Sequence, residues 1–207
     1  ALAGPDAYGA GVNEFLGIPT GQPTRRYEPP VDFSGPYASS PLPAIDFGDA
    51  CLQVGNSAGE TYGSEDCLRA NVWQPQGTLP GAKLPVIVFV YGGSNLYGEA
   101  EPYNGSALAH RQGVVYVSIA YRTGPLGWMA FEEDQAAGRS TGNFGLLDTQ
   151  SGLRWVQREI EAFGGDPSKV IIHGQSSGAQ LVELHLVAPD SKGLLRGLAS
   201  ESGGLSA

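Results

Sequence analysis

The pentapeptide Gly174-Gln175-Ser176-Ser177-Gly178 restricts the possible fold more than any other feature of this chain. It follows the apolar run Val170-Ile171-Ile172 and precedes Ala179 to Val187, a stretch compatible with a helix. A Gly-x-Ser-x-Gly between a buried strand and a helix is the pattern of a nucleophile elbow. Such a turn has no room for bulk beside the serine, which explains the flanking glycines. It lifts Ser176 Oγ above a sheet and sets it at the head of a helix. There the first free N–H groups and the helix dipole favour an oxyanion.

The rest of the chain fits a sheet around that turn. Residues 1–66 read as irregular, rich in Pro and Gly, with short strand candidates such as Glu14-Phe-Leu-Gly-Ile18. Residues 67–207 carry the sheet core. Leu68 to Trp73 reads as a strand, and Leu84 to Tyr91 and Val114 to Ala120 are near-continuous apolar strands. Runs apolar on both faces suit a sheet covered by helices on both sides. Between Phe144 and Phe163, Leu146, Leu153, Val156, Ile160 and Phe163 form one stripe on a 3.6-residue period, stopped by Gly164-Gly-Asp-Pro167. Then come a strand at 169–173, the elbow, a helix to about Val187, and a last strand candidate at 197–201. Strands alternating with helices predict an α/β fold with a mostly parallel central sheet flanked by helices.

A net charge of −9 argues against nucleic acid or an anionic membrane as partner. No apolar run approaches the roughly 18–20 residues of a membrane span. Cys51 and Cys67, with no CxxC and no Cys/His cluster, argue against zinc and for a local disulfide. Asn104-Gly105-Ser106 is a sequon in a polar loop and a candidate for a glycan. Together these predict a secreted protein. The opening Ala1-Leu-Ala-Gly-Pro, without methionine or signal peptide, suggests a processed N-terminus.

A second motif follows the strand at 84–90: Tyr91-Gly92-Gly93-Ser94-Asn95. Ahead of a Gly-x-Ser-x-Gly elbow, a glycine loop here supplies one side of an oxyanion hole in an α/β-hydrolase. From this point the chain resembles the type-B carboxylesterase family, which includes the cholinesterases. The matching stretches run almost end to end: Phe15 to Pro19, Ser64 to Trp73, Gly142 to Asp148, Trp155 to Gln157, Phe163 to Pro167, Gly174 to Ala179 and Glu201 to Gly203. The resemblance implies the N-terminal part of an α/β-hydrolase fold, completed by a C-terminal part not in this sequence. It implies Ser176 as nucleophile and the N–H groups of Gly93, Ser94 and Ser177 as oxyanion hole. It makes Cys51–Cys67 the family's first disulfide and places Ser202 behind the triad acid. It also implies ion pairs Arg26–Glu65 and Arg122–Asp148, read as scaffold. Asp166 reads as a turn or cap residue, Tyr91 and Trp155 as packing residues. No cofactor or metal is implied.

Departures from the family narrow the substrate. Where cholinesterases carry a glutamate before the nucleophile, this chain has neutral Gln175, and residues 52–66 contain no tryptophan to hold a quaternary ammonium. No choline preference is expected. Ser94 stands for a third glycine and Asn95 for an aromatic residue, which alters the surroundings of the acyl group.

The order Ser, acid, His expected of this fold is not completed. His110 and His173 precede the nucleophile, and His173 reads as a core or sheet residue. His185 follows Ser176 on the same helix, roughly 13 Å along the axis, whereas a base must sit within about 3 Å. Glu183 fails on the same ground. The expectation is therefore a serine ester hydrolase acting through an acyl-enzyme. Its triad acid and histidine would come from a C-terminal chain of the same precursor, cleaved after about Ala207 and still docked. A non-catalytic binding or adhesion module, and acyl transfer or other carbonyl chemistry at the same site, are the alternatives.

Overall fold

The computed structural model describes residues 11–23, 25–35, 37, 42–55, 59–139 and 142–204. The expected processing points at Ala1 and after Ala207 lie outside them. Ten strands are present among the described residues: β1 (Val12–Pro19), β2 (Gly21–Pro23), β3 (Pro30–Asp32), β4 (Gln53–Val54), β5 (Thr61–Tyr62), β6 (Arg69–Pro75), β7 (Leu84–Val90), β8 (Val115–Ile119), β9 (Gly165–Gln175) and β10 (Gly197–Glu201). The helices are α1 (Ser106–Gln112), α2 (Gly124–Trp128), α3 (Glu132–Ala136), α4 (Phe144–Glu159) and α5 (Ser177–Leu184), with short 3₁₀ turns at Ile160–Phe163 and Pro189–Ser191.

The central sheet runs β1-β6-β8-β7-β9-β10. From β8 to β10 all neighbours are parallel, whereas β1 and β6 join antiparallel at the other end. Register aligns Val72, Val117, Val88 and Ile172 in one row on one face. α4 lies on that face, where Gly152 brings the helix down onto Ile119. α5 covers it further along, tied to β10 by Ser200 Oγ donating to Glu183 Oε1 at 2.6 Å. On the opposite face α1 starts against Tyr116 and Trp73. Two faces covered by helices explain why β7 and β8 are apolar throughout.

Element limits differ from the sequence reading in places with physical causes. The first part of the chain contributes a full strand, β1, paired to β6. β9 starts four residues early because a register irregularity opposite Leu84 and Val86 admits Gly165 to Pro167. α5 ends at Leu184 rather than near Val187, and the next N–H groups make tighter bonds to Val182, Glu183 and Leu184. Pro189 then holds Ala188 extended. Gly164, left-handed at φ 78°, closes the α4 segment as expected.

Cys51 and Cys67 form a disulfide, fully buried, with Cα atoms 4.9 Å apart. Arg122 and Asp148 pair inside the protein: Nε and Nη2 each reach a carboxylate oxygen at 2.7 Å, and the Arg122 N–H donates to Oδ2 at 3.0 Å. This joins the end of β8 to α4. Arg26 and Glu65 pair at the surface. Asp166 Oδ1 accepts from Ser168 N–H and Oγ–H, the turn role expected of it. Trp155 is buried in the core.

Candidate active site

Ser176 stands between β9 and α5 with φ 57° and ψ −126°, a conformation that disfavours any side chain. Its N–H donates to Glu201 O of β10 at 2.8 Å, and its carbonyl accepts from Ala179 and Gln180 at the start of α5. The flanking glycines are required by close approach. A β-carbon at Gly174 would sit 2.2 Å from Gly178 O, and one at Gly178 would sit 2.4 Å from Val90 O and Tyr91 O. The helix therefore rests directly on the end of β7, where the Tyr91–Gly98 loop departs.

That loop turns back through left-handed backbone at Gly93, Ser94, Asn95 and Gly98. Gly92 lies against the elbow: a β-carbon there would be 2.5 Å from Gln175 O and 2.8 Å from Ser176 Cβ. Asn95 N–H donates to Ser177 Oγ at 3.1 Å. Loop and elbow are thus brought together, with Gly92 against Ser176 and Asn95 against Ser177. Behind the loop, Tyr91 and Tyr121 stack at 4.7 Å, and Tyr121 Oη donates to Tyr91 O at 2.8 Å. Burial pushes both phenols up, so they stay neutral hydrogen-bonding groups. Tyr91 is therefore more than packing. Gln175 abuts Gly92, and Ser202 lies exposed just past β10 with φ 54°.

The histidines lie elsewhere. His110 is exposed on α1. His173 stacks edge-on to Phe89, with Nε2 3.3 Å from Glu201 Oε2. His185 is buried between Thr149 Oγ1, 3.0 Å from Nε2, and Ser191 Oγ, 2.8 Å from Nδ1. Thr149 Oγ1 donates to Leu146 O, which leaves it to accept from Nε2–H. Among the described residues no histidine bonds to Ser176. Asn104 Oδ1 accepts from Ser106 N–H at the head of α1, and Ser106 Oγ donates to Glu14, so the sequon forms a structural turn.

Burial holds the His185 imidazole down at about 4. The unfolded chain, near 6.5, takes up a proton that the folded chain refuses. Stability is thus unaffected above 6.5 and falls as pH drops from 6.5 to about 4. The loss over that window is about 3 kcal/mol. Urea unfolding of wild type and His185→Gln at pH 7 and pH 4.5 checks it, since carboxylate effects are common to both proteins. An equal acid loss in the two proteins contradicts the assignment.

Two groups that touch the loop had no sequence signal: Gln53, whose amide meets Gly98, and the Ser177 hydroxyl, which meets Asn95. Among the described residues, no helix is long and apolar enough to cross a membrane, and no cluster of three or more His, Cys, Asp or Glu is placed to hold a metal.

Comparisons with known proteins agree with this geometry. The model of the family described as "Carboxylesterase family" matches residues 3–207. Bile salt-activated lipase of Homo sapiens is 38% identical over 204 residues, covering 94% of this chain and 26% of the lipase. Cocaine esterase of Oryctolagus cuniculus is 39% identical over 210 residues, covering 93% of this chain and 38% of that enzyme. Among solved structures, a PNB esterase superposes with TM-score 0.80 at 32% identity, covering 94% of this chain and 42% of its own. Aspergillus niger EstA superposes with TM-score 0.79 at 36% identity, covering 91% and 37%. The chain spans roughly a quarter to two fifths of the length of these relatives.

Proposed function

The chain belongs to the carboxylesterase family and has its α/β-hydrolase fold, and from that premise we propose that it is the nucleophile-bearing, N-terminal portion of a serine carboxylic-ester hydrolase domain. The observation that carries the proposal is the strained Ser176 with the Gly92–Asn95 loop packed against it. A strained, half-buried serine between a strand end and a helix start fits the geometry that presents an attacking oxygen.

Ser176 Oγ attacks the ester carbonyl and passes its proton to a histidine base. The negative charge that develops on the carbonyl oxygen is held by the N–H groups of Gly93, Ser94 and Ser177. The bond to the alkoxide then breaks, the base returns the proton to the leaving alcohol, and an acyl-enzyme on Ser176 is left for water to hydrolyse. The base and the acid that orients it are supplied by a C-terminal chain of the same precursor; His173 and His185 are engaged by Glu201 and by Thr149 and Ser191, and His110 is exposed on α1. Neutral Gln175 beside the nucleophile favours uncharged esters over choline esters. The buried disulfide supports an extracellular setting.

A fluorophosphonate probe on the full protein, followed by peptide mapping, tests the assignment. The adduct is expected on Ser176, and the size of the labelled band shows whether the base shares its polypeptide. Ester hydrolysis with an unlabelled Ser176 overturns the reading.

A further inference from the structure

The N–H groups of Gly93 and Ser94 sit on a loop that is not self-supporting. Between Gly93 and Gly98 the internal backbone bonds run from Leu96 and Tyr97 N–H to Gly93 O. Ser94 and Asn95 hold left-handed φ values of 57° and 59°, unfavourable for residues with a β-carbon. Something outside the loop has to keep it there.

The Gly124 N–H contributes, donating to Asn95 O at 2.6 Å, and two side chains do the rest. At one end the Ser177 hydroxyl accepts the Asn95 N–H. At the other the Gln53 amide grips Gly98 with both of its atoms: Oε1 accepts the Gly98 N–H at 2.8 Å, and Nε2 donates to Gly98 O at 3.0 Å. Nε2 also donates to Cys51 O at 3.0 Å, which anchors the grip on the buried disulfide. Contact continues inward from there. A β-carbon on Gly98 would meet Gly92 O at 2.5 Å, and one on Gly92 would meet Ser176 Cβ at 2.8 Å. A continuous chain of close contacts thus leads from the disulfide through Gln53, Gly98 and Gly92 to the nucleophile. Tyr62 Oη, from the hairpin that carries Gln53, donates to Glu99 Oε2 at 2.7 Å and steadies the same segment.

We propose that Gln53 and the Ser177 hydroxyl are positioning residues that hold the Gly93–Gly98 loop so that its N–H groups converge with that of Ser177 on the oxyanion. The proposal rests on the ester-hydrolase reading above. Neither side chain touches the reacting atoms. Their effect is on the placement of donors whose value depends on geometry finer than about 1 Å. A glutamine suits the task because a peptide-like amide can pair with a backbone N–H and C=O together.

The test uses Gln53→Leu and Ser177→Ala in the full-length protein, the second keeping its backbone N–H. Turnover of p-nitrophenyl butyrate is measured per active site titrated with fluorophosphonate, alongside the melting temperature. Each variant is expected to lose about 10- to 100-fold in kcat, with KM changed by less than about threefold. A purely stabilising role instead lowers the melting temperature and leaves kcat per titrated site at the wild-type value, and that result overturns the proposal. Should Gln53→Leu not fold, Gln53→Glu replaces it, keeping the acceptor for Gly98 N–H and losing both donors. Wild-type protein that neither turns over nor labels refutes the hydrolase reading itself, a distinct failure.

Discussion

Replacing Ser176 is expected to abolish ester hydrolysis while changing stability by an amount that depends on whether the replacement keeps a β-carbon. Ser176→Ala and Ser176→Gly both remove Oγ, and each should lower kcat by about a millionfold, the loss typical of a deleted serine nucleophile. They differ in the β-carbon. At φ 57° and ψ −126° a residue with a side chain is strained, by about 1–3 kcal/mol. Glycine relieves that strain but gives the unfolded chain more freedom, which costs about 0.5–1 kcal/mol. Ser176→Gly should therefore be more stable than Ser176→Ala by about 1 kcal/mol, or about 2–4 °C in melting temperature. Calorimetry on the two inactive proteins decides it, and a glycine variant no more stable than the alanine one denies that the elbow stores strain.

The second large effect concerns Arg122 and Asp148. Their side chains are 4% and 0% exposed, so removing one partner leaves a charge with neither water nor counter-ion. Asp148→Ala is expected to cost about 3–5 kcal/mol, read from the urea midpoint. Changing both residues to apolar ones, as in Arg122→Met with Asp148→Leu, should recover most of that loss, because the desolvation of both charges disappears with the pair. The surface pair Arg26–Glu65 is the control. Both groups are well hydrated, and Arg26→Ala should shift the midpoint little. Equal losses at Arg26 and Asp148 remove the basis for treating the buried pair as the scaffold's main electrostatic tie.

Much of this was legible in the amino-acid order. Gly174 has no alternative at its close contact with Gly178 O, so the turn around Ser176 follows from local chemistry, whereas Gly178 is held to glycine by Val90 O and Tyr91 O, distant in sequence. The apolar runs of β7 and β8 announce a sheet covered on both sides. What the order did not show is instructive. Leu186 and Val187 extend the apolar pattern of α5, yet they are 68% and 72% exposed, and the helix has already ended. Their periodicity carried the wrong length because the tighter turns before Pro189 decide the end. Gln53 gave no sign of its role because its partner is 45 residues away, and nothing in a lone glutamine says which backbone it will meet. The Ser177 hydroxyl was hidden likewise, its partner lying 82 residues earlier. Local rules find the turn that presents Ser176, but they do not find the long-range contacts that complete the surroundings.

Those separations also bear on when the elbow takes shape. Strand β7 and its glycine loop leave the ribosome well before the elbow does, with α1, β8 and α4 synthesised in between. Until β9 docks parallel to β7, the loop has no Ser177 to bond and Ser176 has no reason to adopt its unfavourable backbone. Contacts so distant in sequence form late, after the loop entropy between them has been lost. The elbow is therefore assembled late: Ser176 takes its strained backbone only when the sheet around it has formed.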